Sequence, residues 1–166
     1  MRGHEGAGGE VLKKDNIRDY ATEAFRFYAL KGKPAYEDMR REVEGKAGGL
    51  LEKELNGHSG NVSNPTEYEV LARENALQRH QAELLDILAV NKVISMLEVN
   101  ETGQQVIKAV EAVYFPSPFR YPRRGEISQR VLKASEEVLF CNPATVYRHL
   151  RHARTMFAME RGLRIL

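Results

Sequence analysis

Residues 142–162 have the sequence NPATVYRHLRHARTMFAMERG, and the whole stretch indicates one helix. Asn142 is placed to cap the helix, Pro143 suits the first helical position, and Gly162 can end it. At about 100° per residue, one stripe carries the apolar side chains of Val146, Leu150, Ala153 and Phe157. The opposite side carries Ala144, Arg148, Arg151 and Thr155. The pattern predicts a helix with an apolar back and a basic front.

A shorter amphipathic helix is predicted just upstream, over residues 126–134, with Ile127 and Val131 facing inward. Two such helices in succession are typical of a helix-turn-helix, whose second helix lies in the major groove of DNA. Fourteen positions separate Val131 from Thr145, which is more than the usual short turn requires. Either the segment around 136–140 is an insertion, or the first helix of the pair is shifted.

The net charge of +2 conceals an uneven distribution along the chain. From Ser117 onward there are ten Lys or Arg residues and four acidic residues, whereas the remainder has fifteen basic and nineteen acidic residues. Nine of the ten C-terminal cations are arginines, which suit contacts to phosphates and base edges. The charge favours nucleic acid as a partner, and the alternative is a solvated helix surface.

The string NPATVYRHLRHAR over residues 142–154 resembles the recognition helix of RNA polymerase sigma factor region 4. A small polar residue precedes a Thr-Val pair, and a later Leu and Ala-Arg complete the apolar stripe. With Tyr147 and the Phe157-Ala158 pair, the chain is more similar still to the ArpU/RinA-like phage transcriptional regulators, which share that fold. The resemblance covers the chain from about residue 100 onward. It implies a DNA-binding transcriptional regulator of phage or prophage type, with RNA polymerase as a second candidate partner.

The residues expected to contact double-stranded DNA are on the front of the predicted helix, at its start, and in an arginine pair before the preceding helix. They are Asn142, Ala144, Thr145, Arg148, Arg151, His152, Thr155, Arg123 and Arg124. Arg148 and Arg151 are predicted to face base edges, because arginine reads guanine through two hydrogen bonds. A different class of protein fits the same pattern: a non-enzymatic helical assembly or adaptor protein whose basic C-terminal helix packs on a partner.

The rest of the chain also predicts helices, so the expected fold class is all-α. Residues 1–14 are rich in glycine and are predicted to be a disordered tail. An amphipathic helix is expected from Ile17 to Tyr28 with Asn16 as its cap, and a weaker helical pattern continues after Pro34.

The turn-forming residues near 56–64 predict a linker. After the linker, the Asn64-Pro65 start signal predicts one long helix that extends into the apolar segment 82–97. Asn100 is expected to cap a further helix that ends at Tyr114. These elements divide the chain into a helical N-terminal region, 15–99, and a helix-turn-helix domain, 100–166.

Several classes of protein are disfavoured by composition. Cys141 is the only cysteine, so the chain alone can form no disulfide and no multi-cysteine metal site. No run reaches the roughly 18 apolar residues of a membrane span, and the N-terminus lacks the apolar segment of a signal peptide, which predicts a cytoplasmic protein. No phosphate-binding glycine loop or catalytic grouping is present, so neither an enzyme nor a cofactor is expected. Because one recognition helix contacts few base pairs, a homodimer or assistance by polymerase is expected.

Overall fold

The computed structural model describes residues 15–57 and 65–163, and over these residues the protein is all-helical. The predicted tail at 1–14 lies outside the described residues, as do most of the predicted linker, 58–64, and the last three residues. The helices are α1 (Asn16–Leu30), α2 (Tyr36–Gly57), α3 (Pro65–Arg79), α4 (Gln81–Leu97), α5 (Glu101–Val113), α6 (Glu126–Lys133) and α7 (Pro143–Arg161). Helix α6 continues into a π turn, Ala134–Val138. The predicted fold class is confirmed at this level.

The predicted ends of α7 and the cap of α5 are confirmed. The Oδ1 atom of Asn142 accepts the backbone N–H of Ala144 at 3.0 Å, and Gly162 ends α7 in the left-handed region with φ +69°. Asn100 caps α5 in the same way. The predicted cap of α1 is wrong by one residue, because Asp15 rather than Asn16 accepts the N–H of Arg18, at 2.9 Å.

One prediction about the N-terminal helices is wrong. The long helix predicted after Pro65 is interrupted at His80, whose backbone (φ −100°, ψ 9°) leaves the helical region for one residue. Helix α3 packs mainly against α2, while α4 lies in the core. Helix α2 follows the weaker pattern after Pro34 and extends to Gly57, so it includes the first two residues of the predicted linker. Packing against α3 offsets the low helix propensity of its glycines.

Helix α7 lies at the centre of the hydrophobic core. Its fully buried Phe157 contacts the aromatic rings of Phe25 and Tyr20 on α1, with ring centroids 5.8 and 6.1 Å apart. The largest other fully buried side chains belong to several helices; they are Ile87, Leu150, Val90, Val93, Val106, Val113, Val131 and Val146. This core is continuous across residue 100, so the regions predicted as separate units share one interior.

A polar contact at the edge of the core also joins the two regions. Arg161 near the end of α7 donates from Nε to Oδ1 of Asp86 on α4, at 2.7 Å. The same carboxylate accepts the hydroxyl of Tyr20, at 2.8 Å. A fragment beginning near Asn100 would therefore lose the residues that cover α7.

Gly103 allows the start of α5 to approach the end of α4 closely. A Cβ atom added at this position would overlap the backbone carbonyl of Leu97 and lie 2.8 Å from its Cα. We expect Gly103→Ala to lower the free energy of unfolding by at least about 1–3 kcal/mol, because backbone must move to relieve the overlap. Urea unfolding measures the change.

Gly45→Ala is the matched control for this substitution. A Cβ at Gly45, inside α2, meets nothing within 4 Å, so alanine should be neutral or stabilise by up to about 1 kcal/mol. A Gly103→Ala protein as stable as the parent would show that the contact between α4 and α5 is misplaced.

Candidate nucleic-acid interface

Helices α6 and α7 form a two-helix unit joined by a short turn. The π turn extends the first helix to Val138, and only residues 139–142 separate it from Pro143. The N–H of Leu139 bonds to the carbonyl of Ala134 at 2.8 Å, which closes the π turn. The long spacing between Val131 and Thr145 thus reflects an extended first helix, without a looped insertion.

The turn itself contains an unusual residue. Phe140 has φ +50°, in the left-handed region that favours glycine, and its side chain is 80% exposed. A bulky residue in this conformation is strained, and burial of the ring does not compensate for the strain. The N–H of the next residue, Cys141, bonds to the carbonyl of Ser135 at 3.0 Å and holds the turn against the π segment.

The two faces of α7 are divided as predicted. The apolar stripe is completely buried, with Val146, Leu150, Ala153 and Phe157 all inaccessible to solvent or nearly so. The front is exposed along its length, through Ala144, Arg148, Arg151, His152 and Thr155. Asn142 is also exposed, whereas Thr145 is only half-exposed, so its side chain has less room to reach a ligand. The role of these residues in DNA binding stays a prediction.

Four of the ten C-terminal cations are occupied by contacts within the protein. Arg120 and Arg130 both pair with Glu126, at 2.8 and 2.9 Å. Arg154 donates to the hydroxyl of Tyr114 at 2.6 Å, and Arg161 pairs with Asp86. The basic surface is therefore smaller than the sequence count suggests.

The remaining described cations are all exposed. They are Arg123, Arg124, Lys133, Arg148 and Arg151. Within residues 15–57 and 65–163, none of these five has a carboxylate within 4.0 Å. Their charges are available to a partner, and two of them are the arginines predicted to read bases.

Arg123 and Arg124 lie immediately before α6, next to a fixed carboxylate. Glu126 accepts two bonds from the guanidinium of Arg120 and one from the backbone N–H of Arg123, at 2.7 Å. These bonds lower the pKa of Glu126 to about 2, so it is ionised at any ordinary pH and holds the start of α6 in place. The side chains of the arginine pair extend from this anchored segment into solvent.

The two histidines of α7 differ in environment. His149 is half-buried, and its pKa lies below the ordinary value because of burial first, and then because of the charges of Arg148 and His152. The neutral imidazole is therefore favoured at pH 7, and His149 adds little charge to the surface. His152 is exposed on the basic front, where its imidazole can donate or accept a hydrogen bond.

Three residues near this surface were not among the predicted site residues. Two of them, Tyr147 and Phe140, are exposed aromatic residues beside the start of α7. The only sequence signal for either is that Phe140 lies shortly before the cap residue Asn142, where a turn is expected. Arg26 on α1 is buried and donates from its Nη2 to the carbonyl oxygens of Arg120 and Ser117, which ties the proline-rich segment to α1. Periodicity could not have identified Arg26, because arginine in a helix is usually exposed.

The fold defines a class of protein: an all-helical protein with a two-helix unit whose second helix exposes a basic face. No protein-family model, curated protein or solved structure matches the chain. Among the described helices, none combines the length and the apolar character needed to cross a bilayer. The geometry of α6 and α7 is therefore the basis for a functional proposal.

Proposed function

We propose that this protein binds double-stranded DNA through a helix-turn-helix formed by α6 and α7, and that it regulates transcription in the manner of a phage or prophage regulator. The observation that supports this proposal is the division of α7. Its back is anchored in the core, while Arg148 and Arg151 extend from its front with no carboxylate partner among the described residues. A recognition helix needs this combination of rigid support and exposed hydrogen-bond donors.

Each part of the surface has a separate role in the proposal. Arg148 and Arg151 contact base edges in the major groove, where arginine discriminates guanine. Arg123 and Arg124, which precede the first helix of the pair, bind backbone phosphates and set the orientation of the protein on the duplex. The N-terminus of α7 is the positive end of the helix dipole, which favours a nearby phosphate.

Transcription is the process that the resemblance of residues 142–154 supports, and RNA polymerase is its second proposed partner. DNA binding is the part that can be tested first. The experiment measures binding of the full-length protein to a pool of random duplexes by fluorescence anisotropy at several salt concentrations, followed by selection and sequencing of the bound duplexes. Neutralising about three to five phosphates predicts a slope of log affinity against log salt of roughly −3 to −5.

Two variants separate phosphate contacts from nonspecific charge effects. The double variant Arg123→Ala/Arg124→Ala should weaken binding to every duplex and reduce the magnitude of the salt slope by about 2. Arg18→Ala removes an exposed cation from α1 and should leave the slope unchanged. Absence of salt-sensitive duplex binding would contradict the proposal and favour the adaptor alternative, in which the front of α7 packs on a partner protein.

A further inference from the structure

A small cavity lies where α1, α4 and α5 meet, and no residue of α7 lines it. Its volume is about 160 Å³, which is well below that of a site for a drug-sized ligand. The apolar part of its lining consists of Phe25, Ile94, Leu97, Ile107, Val110 and Phe115. We call this site the α1–α5 cavity. Its remaining lining residues are one tyrosine and three charged residues, so the cavity is apolar inside and polar at its rim.

The tyrosine of the α1–α5 cavity is buried without a hydrogen-bond partner. Tyr28 is only 9% exposed, and its hydroxyl makes no hydrogen bond to any residue that the structure describes. Burial raises the pKa of Tyr28 above its ordinary value, and the negative charges of Glu98 and Glu111 raise it further. Buried hydroxyl groups almost always have a partner, from the protein, from water or from a ligand. The Tyr28 hydroxyl is therefore free to bond to a molecule in the cavity.

Two features of the rim favour a positively charged group. Glu98 and Glu111 are exposed there, and within residues 15–57 and 65–163 neither carboxylate has a cation within 4.0 Å. Helices α1 and α4 both end beside the cavity, at Leu30 and Leu97. The C-terminus of a helix is the negative end of its dipole and favours a nearby cation. An ammonium group at this rim would gain from both features.

The third charged residue of the rim is a lysine with an unusual backbone. Lys33 has φ +57°, in the left-handed region that residues with long side chains rarely adopt, and its exposed side chain gains no burial in return. Its Nζ lies 5.3 Å from the centroid of the Phe115 ring. No carboxylate of the described residues, Glu98 and Glu111 included, lies within 4.0 Å of this Nζ. Strained backbone of this kind is concentrated at functional sites, and here it leaves an ammonium group at the rim for an anionic partner.

A small apolar interior with unpaired charges of both signs at its rim is complementary to a small zwitterion. We propose that the α1–α5 cavity binds an apolar α-amino acid. The side chain of the ligand enters the apolar interior, and its carboxylate binds Lys33. Its ammonium group binds Glu98 and Glu111 and donates to the hydroxyl of Tyr28. The front of α7 takes no part, so amino-acid binding and DNA binding can be tested separately.

Titration of the ¹⁵N-labelled full-length protein at pH 7 tests the inference, with amide chemical shifts as the readout. The probes are leucine, isoleucine, methionine and phenylalanine, and at least one of them should bind with a Kd of about 1 mM or lower. The largest shift changes should occur at lining residues such as Tyr28, Leu97 and Val110. Glycine has the same two charges but no side chain, and it should not bind.

Two analogues of leucine separate the contributions of its charges. Leucinamide keeps the ammonium group but has no carboxylate, whereas 4-methylpentanoate keeps the carboxylate and the side chain but has no ammonium group. Each analogue should bind at least about 10-fold more weakly than leucine, because each leaves charged groups of the rim without a partner. If another of the four amino acids binds most tightly, the corresponding analogues of that amino acid are used.

Substitutions at the rim assign each charge of the ligand to its partner. Lys33→Met should weaken the binding of the amino acid by about 10-fold and leave the affinity for its amide unchanged, because the amide has no carboxylate to lose. Lys31→Met is the matched control: Lys31 is two residues earlier, and its Nζ lies 5.7 Å from the ring centroid of Phe27, outside the cavity. It should change neither affinity.

The carboxylates are tested in the same way. The double variant Glu98→Gln/Glu111→Gln should weaken the binding of both the amino acid and its amide by at least about 10-fold, whereas Glu101→Gln, on the same face-independent grounds of exposure but outside the cavity, should weaken neither. Circular dichroism verifies that the double variant is folded, and the two single variants replace it if it unfolds.

Three results would overturn the inference. The first is that none of the four amino acids binds at millimolar concentrations, or that the shift changes centre on α7. The second is that both analogues bind as tightly as the amino acid itself. The third is that Lys33→Met changes the affinity no more than Lys31→Met does.

Discussion

Phe157→Ala is expected to lower the free energy of unfolding by about 3–5 kcal/mol, the usual cost of removing a fully buried aromatic ring. The ring is completely inaccessible to solvent and packs against Phe25 and Tyr20 of α1. Loss of the ring therefore leaves a cavity between α7 and the N-terminal helix α1. Chemical unfolding followed by circular dichroism measures the effect as a lower midpoint with an unchanged slope.

Met159→Ala is the control for this prediction. Met159 is on the same helix two residues further on, and its side chain is 69% exposed. Its substitution should change the free energy of unfolding by no more than about 0.5 kcal/mol. If the Phe157 variant unfolded at the same denaturant concentration as the parent, the placement of α7 in the core would be incorrect.

Arg148→Ala and Arg151→Ala are expected to reduce discrimination between a selected duplex and its single-base variants by about 5- to 150-fold each, which corresponds to 1–3 kcal/mol for one bidentate contact. Both side chains are exposed, so the thermal midpoint of each variant should match that of the parent protein. Competition binding against duplexes that differ at one position measures the loss and identifies the position that each arginine reads.

Arg151→Lys separates the contribution of the positive charge from that of the planar pair of hydrogen-bond donors. Lysine retains the positive charge but not the planar pair of donors, so this variant should keep the salt slope and lose base discrimination. Arg18→Ala on α1 should alter neither quantity. If both alanine variants remain folded and keep the sequence preference of the parent, Arg148 and Arg151 do not read bases and the recognition surface lies elsewhere.

The sequence predicts α7 and the cap of α5 well because the interactions that determine them are local. The cap of α7 is a hydrogen bond between Asn142 and Ala144. Gly162, in the left-handed region, directly follows the last helical residue, Arg161. The stripe of Val146 and Leu150 follows directly from helical periodicity. These contacts span at most a few residues, so the local sequence is sufficient to predict the helix and its ends.

The break at His80 and the π turn after α6 could not be predicted in the same way. Neither segment contains glycine or proline, and each follows from how the surrounding helices pack. The helix is interrupted at His80 between α3, which packs mainly on α2, and α4, which packs on several helices including α7. The π turn shortens the connection to α7 to the residues 139–142.

Local sequence signals suffice to establish that α7 forms, where it begins and ends, and that one of its faces is apolar and the other basic. Which cations remain for a partner depends on the tertiary structure, because some of the groups that bind the others are distant in the chain. Arg161 pairs with Asp86, 75 residues away, and Arg154 bonds to Tyr114, 40 residues away. Helical hydrogen bonds and periodicity act within a few residues, whereas ion pairs and burial depend on which helices the core brings together.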